Sequence, residues 1–234
     1  MSEGALVAIA GVSGLIAGLG VDTLVLRVVP SGPPRHSRPR AQRAVVVAAT
    51  GVAFSLVMMC ALRSAGWGQA RAGESSIAFA LSTAAYLLIA SAGIALTLVD
   101  VRTHRLPNVI VLPLLAATVA LFAASCLFGA PWSALVRAVS AGAALFAFFA
   151  VLRAVGRGAM GGGDVKLAAV VGIALGWIGW HAVLAGTLAA FVLGGLVGLA
   201  LIVTRRATRS TAIPFGPFLV AGTWVGMLTA DGVL

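Results

Sequence analysis

The feature that most constrains this chain is its succession of long apolar runs, each close to the length of a bilayer crossing. A helix needs about 20 apolar residues to cross the hydrocarbon core, within a range of about 17–25. Eight segments can be drawn on that rule, with boundaries uncertain by several residues: 4–26, 44–62, 77–99, 108–128, 133–153, 165–180, 182–204 and 212–230. The sixth is short and runs almost directly into the seventh, so the runs alone allow seven crossings or eight. Composition agrees: 61% of the 234 residues are hydrophobic and 9% are charged. A soluble domain carries about 25% charged residues, so an ordinary cytosolic enzyme is excluded. The expectation is an all-α, polytopic transmembrane bundle of about eight helices.

The cations orient that bundle. Cytoplasmic loops of membrane proteins carry an excess of Lys and Arg. The first loop holds Arg27, Arg35, Arg38, Arg40 and Arg43, and the third holds Arg102 and Arg105. The fifth holds Arg153, Arg157 and Lys166, and the seventh Arg205, Arg206 and Arg209. Thirteen of the sixteen cations therefore fall on alternate loops, which favours eight crossings and puts both termini outside. Arg63, Arg71 and Arg137 are on the other side, with Glu3, Glu74 and Asp231. Trp67, Trp132, Trp177 and Trp180 fall near the outer ends, where an interfacial belt is expected.

The net charge of +10 thus reads as topology, and nucleic acid is not the expected partner. The basic insert at 27–43 is too short to fold alone and lies along the membrane surface, within reach of anionic lipid headgroups. Residues 1–234 read as one membrane-embedded domain without internal repeats. The N-terminus has no basic n-region and no clear cleavage site, so it reads as a retained membrane helix. Cys60 and Cys126 lie in apolar runs without metal-ligand spacing.

With six acids in so apolar a chain, each position carries information. Glu3, Glu74 and Asp231 fall in exterior loops or tails, where a solvated carboxylate needs no explanation. Asp22 lies in the first helix one turn before Arg27, with which it can pair. Asp100 ends the third helix, and Asp164 opens the sixth; both fall at the cytoplasmic boundary. Either alone is an ordinary helix-end residue, and Asp164 also suits a helix N-terminus. Together they have a chemical meaning. Two close carboxylates share a proton, so one serves as base and the other as acid toward water and a peptide carbonyl.

Gly161, Gly162 and Gly163 directly precede Asp164. Glycines there permit positive φ and the close approach of another backbone or a substrate strand, or else form a flexible cytoplasmic loop. A phosphate-cradling loop is not indicated, because the order Gly-Gly-Gly-Asp-Val-Lys is not a P-loop and no strand precedes it.

These residues also carry a resemblance. MGGGDVKL (160–167) resembles the Gly-x-Gly-Asp-x-Lys-Leu signature of the type IV prepilin peptidases, intramembrane aspartic proteases of bacteria. DVRTHRLPN (100–108) is similar to their first-aspartate motif, and IPFGPFL (213–219) to their tail segment. GLIAGLGVDTLVLRVVP (14–30) resembles their first helix, with Asp22 where Asn is usual. The resemblance implies an endopeptidase of the bacterial inner membrane that removes the basic leader of prepilins or pseudopilins. In that family the cut falls after a Gly, just before the substrate's apolar segment. Asp100 and Asp164 become the catalytic pair. Gly161, Gly162, Gly163, Lys166, Pro107, Asn108, Pro214, Phe215, Gly216 and Pro217 become residues that support the site. Lys166, the single lysine, either biases a carboxylate, binds backbone, or snorkels to the membrane surface.

One departure from the family pattern is large. Full-length members carry a cytoplasmic insert after the first helix, often with two Cys-x-x-Cys zinc pairs, and methylate the new terminus from S-adenosylmethionine. Here the insert is SGPPRHSRPRAQRA, without cysteine. No metal or cofactor is therefore expected, and S-adenosylmethionine enters only if methyl transfer is retained. His36 and His104 are isolated, and His181 beside Trp180 reads as interfacial. The pairs Gly14/Gly18, Gly172/Gly176 and Gly194/Gly198 have the spacing of close helix packing. The rival readings are a small transporter or channel that binds a cation at the boundary aspartates, and a non-catalytic partner in pilus or secretion assembly. The sequence does not fix the oligomeric state.

Overall fold

The computed structural model describes residues 3–28, 40–63, 75–156, 161–205 and 214–230. The sequence readings at Arg35, His36, Arg38, Trp67, Arg71, Glu74, Arg157, Arg206, Arg209 and Asp231 lie outside the described residues. The described residues form eight helices: α1 (Glu3–Val28), α2 (Arg40–Arg63), α3 (Ser76–Thr103), α4 (Asn108–Leu127), α5 (Trp132–Val155), α6 (Gly162–Ile178), α7 (Trp180–Val203) and α8 (Gly216–Ala230). Six of them, all but α6 and α8, are long and apolar enough to cross a membrane. Helices suit that solvent because every backbone hydrogen bond is satisfied inside the segment.

Several helices outrun the apolar segments that announce them. Helix α2 begins at Arg40, so Arg40 and Arg43 belong to it rather than to a loop. Helix α3 continues one turn past Asp100 to Thr103. The physical reason is simple: a helix does not stop where the hydrocarbon stops, and its last turn can carry charge in the interface. The sixth and seventh apolar runs are separate helices with Gly179 between them.

Consecutive helices pack as pairs, α1 with α2, α3 with α4, α5 with α6, and α7 with α8. Helix α6 also packs on α4, α7 and α8, so it runs through the middle of the bundle. From Leu167 to Ile178 every residue of α6 is buried. A helix apolar on all sides is enclosed either by protein or by lipid, and over this stretch α6, 17 residues long, is enclosed by protein.

Close approach of α5 and α6 depends on small residues. A Cβ on Gly172 would lie 2.6 Å from the carbonyl oxygen of Ala141, and one on Gly176 would lie 2.9 Å from Cα of Ala138. Two polar contacts fix α6 along its axis. The Tyr86 hydroxyl of α3 donates to the carbonyl of Ala174 at 2.8 Å. Arg137 of α5 donates through Nε to the carbonyl of Gly176 and through Nη2 to that of Trp177, each at 2.7 Å. A cation at the last carbonyls of a helix satisfies orphan acceptors and suits the helix dipole. The sequence suggests only an outer-side charge at Arg137.

Trp177 departs from expectation. It is buried and stacks on Phe122 of α4, with ring centroids 4.2 Å apart, instead of lying in an interfacial belt. Trp132 and Trp180 are exposed. Asp22 is buried and meets Arg43 of α2, Oδ2 to Nε 3.9 Å, where the sequence offers Arg27 as its partner.

Candidate active site

One end of the bundle gathers the C-termini of α3 and α5 and the N-termini of α4, α6 and α8. Asp100 sits in the last turn of α3 and is 3% exposed. Its backbone carbonyl accepts from the amide of His104, which closes the helix in a left-handed conformation with φ 52°. The Asp100 carboxylate contacts a second helix. Its Oδ2 accepts from the amide of Gly216, the first residue of α8, at 3.0 Å. The first amides of a helix have no partner within it, so the start of α8 is a ready acceptor site for a carboxylate. A Cβ on Gly216 would lie 2.6 Å from the same oxygen. Only glycine brings that amide so near.

Asp164 sits in the first turn of α6 and is 7% exposed. Its Oδ2 accepts from the amide of Gly161 at 3.2 Å, the carboxylate half of a capping box. Its Oδ1 is buried and has no hydrogen-bond partner among the described residues. The helix-start reading therefore accounts for one oxygen of Asp164 and leaves the other.

The glycines before it act by size rather than by positive φ. Gly161 has φ −65°, and α6 already begins at Gly162. A Cβ on Gly163 would collide with Cβ of Leu106 and lie 3.2 Å from its Cα. A Cβ on Gly162 would collide with the guanidinium of Arg153. Bare backbone thus lets the start of α6 slide against the link between α3 and α4, bringing Asp164 toward Asp100.

Both aspartates line one cavity of about 290 Å³. Gly161, Gly162, Gly163, Asn108, Lys166, His104 and Arg105 line it with them. Lys166 reaches across it and donates to Oδ1 of Asn108 at 2.8 Å, joining α6 to α4. The other expected site residues fall just outside. Pro107 caps the start of α4, and Pro214 and Pro217 flank Gly216. Phe215 belongs to a ring cluster with Phe149 and Phe191, at centroid distances of 5.8 and 5.3 Å, which seats the start of α8 on α5 and α7. Arg153 was not legible as a site residue, since one more cation carries no distinguishing signal, and Leu106 stood only as part of the first-aspartate motif. The arrangement joins two buried carboxylates to a polar space large enough for water and a segment of peptide.

The fold and this cavity define a polytopic helical membrane protein with a paired-aspartate site. The type IV leader peptidase family matches residues 86–199, a stretch that includes both aspartates. Over those residues, just under half of the chain, the protein resembles the type IV leader peptidase family. It is similar to a prepilin leader peptidase/N-methyltransferase of Pseudomonas aeruginosa, 33% identical over 163 residues, which are 66% of this chain and 52% of that protein. The protein of the same name from Aeromonas hydrophila is 32% identical over 152 residues, 64% of this chain and 51% of its own. One from Bacillus subtilis is 36% identical over 92 residues, 39% and 36% of the two chains. The chain spans about half the length of the first two relatives. No solved structure matches it.

Proposed function

We propose that this protein is an intramembrane aspartic endopeptidase that removes the leader of type IV prepilin-like substrates. The observation that carries the reading is the single cavity lined by Asp100 and Asp164, each buried and each tied to a helix start by a backbone amide. Two carboxylates in one poorly solvated space hold a proton between them. The ionised member takes a proton from water as its oxygen attacks the scissile carbonyl. The protonated member gives its proton to the carbonyl oxygen. Collapse of the tetrahedral adduct breaks the C–N bond, and the amine leaves with a proton returned from the pair.

The site end of the bundle faces the cytoplasm in this reading, because Arg27, Arg43, Arg102, Arg105 and Arg153 all belong to it. Both chain ends then lie outside, in the inner membrane of a bacterium. The substrate is a prepilin or pseudopilin whose basic leader is drawn to the acidic pair. The short insert after α1 leaves out the cysteines of a zinc module, and methyl transfer from S-adenosylmethionine is not part of the proposed activity.

The test uses membranes containing the protein and a synthetic prepilin peptide. A single cut before the apolar segment is expected. Asp100→Asn and Asp164→Asn each lower the rate by about 10²–10⁴-fold, the usual scale of acid–base catalysis, with membrane insertion unchanged. Full activity in either variant would rule out the paired mechanism.

A further inference from the structure

A second opening begins beside the catalytic cavity and runs into the membrane-spanning part of the bundle. Helices α1 and α4 both pack on α3, and a groove of about 340 Å³ remains between them. Gly20 and Leu24 line it from α1, Ala92 from α3, and Val109, Pro113 and Ala117 from α4. We propose that this groove receives, as a helix, the apolar segment adjoining the scissile bond of the substrate. The inference rests on the peptidase reading above and adds to it the surface that recognises the substrate.

Continuity with the site is the first argument. The start of α4 lines both spaces, Asn108 in the catalytic cavity and Val109 in the groove. Ala92 lies eight residues before Asp100 on the same helix, a rise of about 12 Å. Ala117 lies nine residues beyond Asn108, a rise of about 13 Å. The groove therefore starts at the cavity and extends over about nine residues of helix. A chain cut in the cavity and continuing into lipid has this path open to it.

The lining supports a helical peptide over a lipid chain. Gly20, Ala92 and Ala117 are small, and small residues let a helix approach closely where no hydrophobic force drives association. Pro113 has no amide to offer the carbonyl of Val109 one turn earlier. A side-chain hydroxyl or amide of a peptide can satisfy that carbonyl, and an acyl chain cannot. The occupant must itself be helical, since a segment in lipid satisfies its own backbone.

Two substrates and two kinds of variant test the groove in the full-length protein in membranes. One peptide carries the whole apolar segment, and the other ends four residues after the cut. Ala92→Trp and Ala117→Trp fill the groove without touching the catalytic cavity. Each is expected to lower kcat/KM for the long peptide by about 10-fold or more, leaving the short peptide unchanged. Equal cleavage of both peptides by both variants overturns the proposal and means that lipid alone fills the groove. A Val109→Cys variant gives a readout independent of activity and of any folding defect in the Trp variants. It is expected to cross-link to cysteines placed within nine residues after the cut and not to those farther along. Absent or uniform cross-linking overturns the groove. Cross-linking without cleavage by the wild-type protein keeps the groove and sinks the peptidase reading.

Discussion

The amide of Gly216 donates to Oδ2 of Asp100 at 3.0 Å, joining the start of α8 to the end of α3 across 116 residues of chain. That bond fixes one member of the acid pair from outside its own helix. Gly216→Ala puts a Cβ 2.6 Å from the same oxygen, and the carboxylate must swing aside. A displacement of about 1 Å at a reacting group costs on the order of 100-fold in rate. The expected outcome is that loss in kcat on a prepilin peptide with little change in KM. An unchanged kcat would show that the Gly216 contact does not position the reaction.

Gly163→Ala acts on the other aspartate. The added methyl collides with Cβ of Leu106 and pushes the start of α6 off the α3–α4 link. A loss of about 100-fold is expected by the same argument. Gly195→Ala is the control, because a Cβ there meets nothing within 4 Å. If the two alanine variants cleave equally well, close packing at Gly163 is irrelevant to catalysis.

Lys166 spans the cavity to Asn108, yet the bond is exposed to solvent. An exposed contact of this kind is worth about 1 kcal/mol or less. Lys166→Met is therefore expected to lower kcat/KM by less than about 10-fold. A defect as deep as that of Asp164→Asn would instead make Lys166 a participant in the chemistry.

Arg137 and Tyr86 separate a stability role from a catalytic one. Arg137→Met removes two charge-assisted hydrogen bonds at the end of α6, and such bonds are worth about 1.5–3 kcal/mol each. Tyr86→Phe removes one neutral bond to a carbonyl, worth about 0.6 kcal/mol inside a membrane protein. Thermal unfolding in detergent should show a clear drop for the first and a slight one for the second. The reverse order would contradict the clamp at the far end of α6.

Much of this architecture was legible in the sequence. The eight helices follow from apolar runs, because hydrocarbon sets a minimum length that composition cannot disguise. Asp100 and Asp164 stood out because carboxylates are so scarce that each needs a reason. The tertiary structure decided which helix is enclosed. From Leu167 on, α6 is as apolar as α7, yet there every residue of α6 is buried while Leu184, Leu188 and Leu196 of α7 are exposed. Protein interior and lipid are equally apolar, so the runs cannot tell one neighbour from the other. For the same reason the stacking of Trp177 on Phe122 was hidden behind an interfacial expectation. The bond from Gly216 to Asp100 was hidden too, since a backbone amide has no sequence signature and its partner is chosen only when α8 docks against α3.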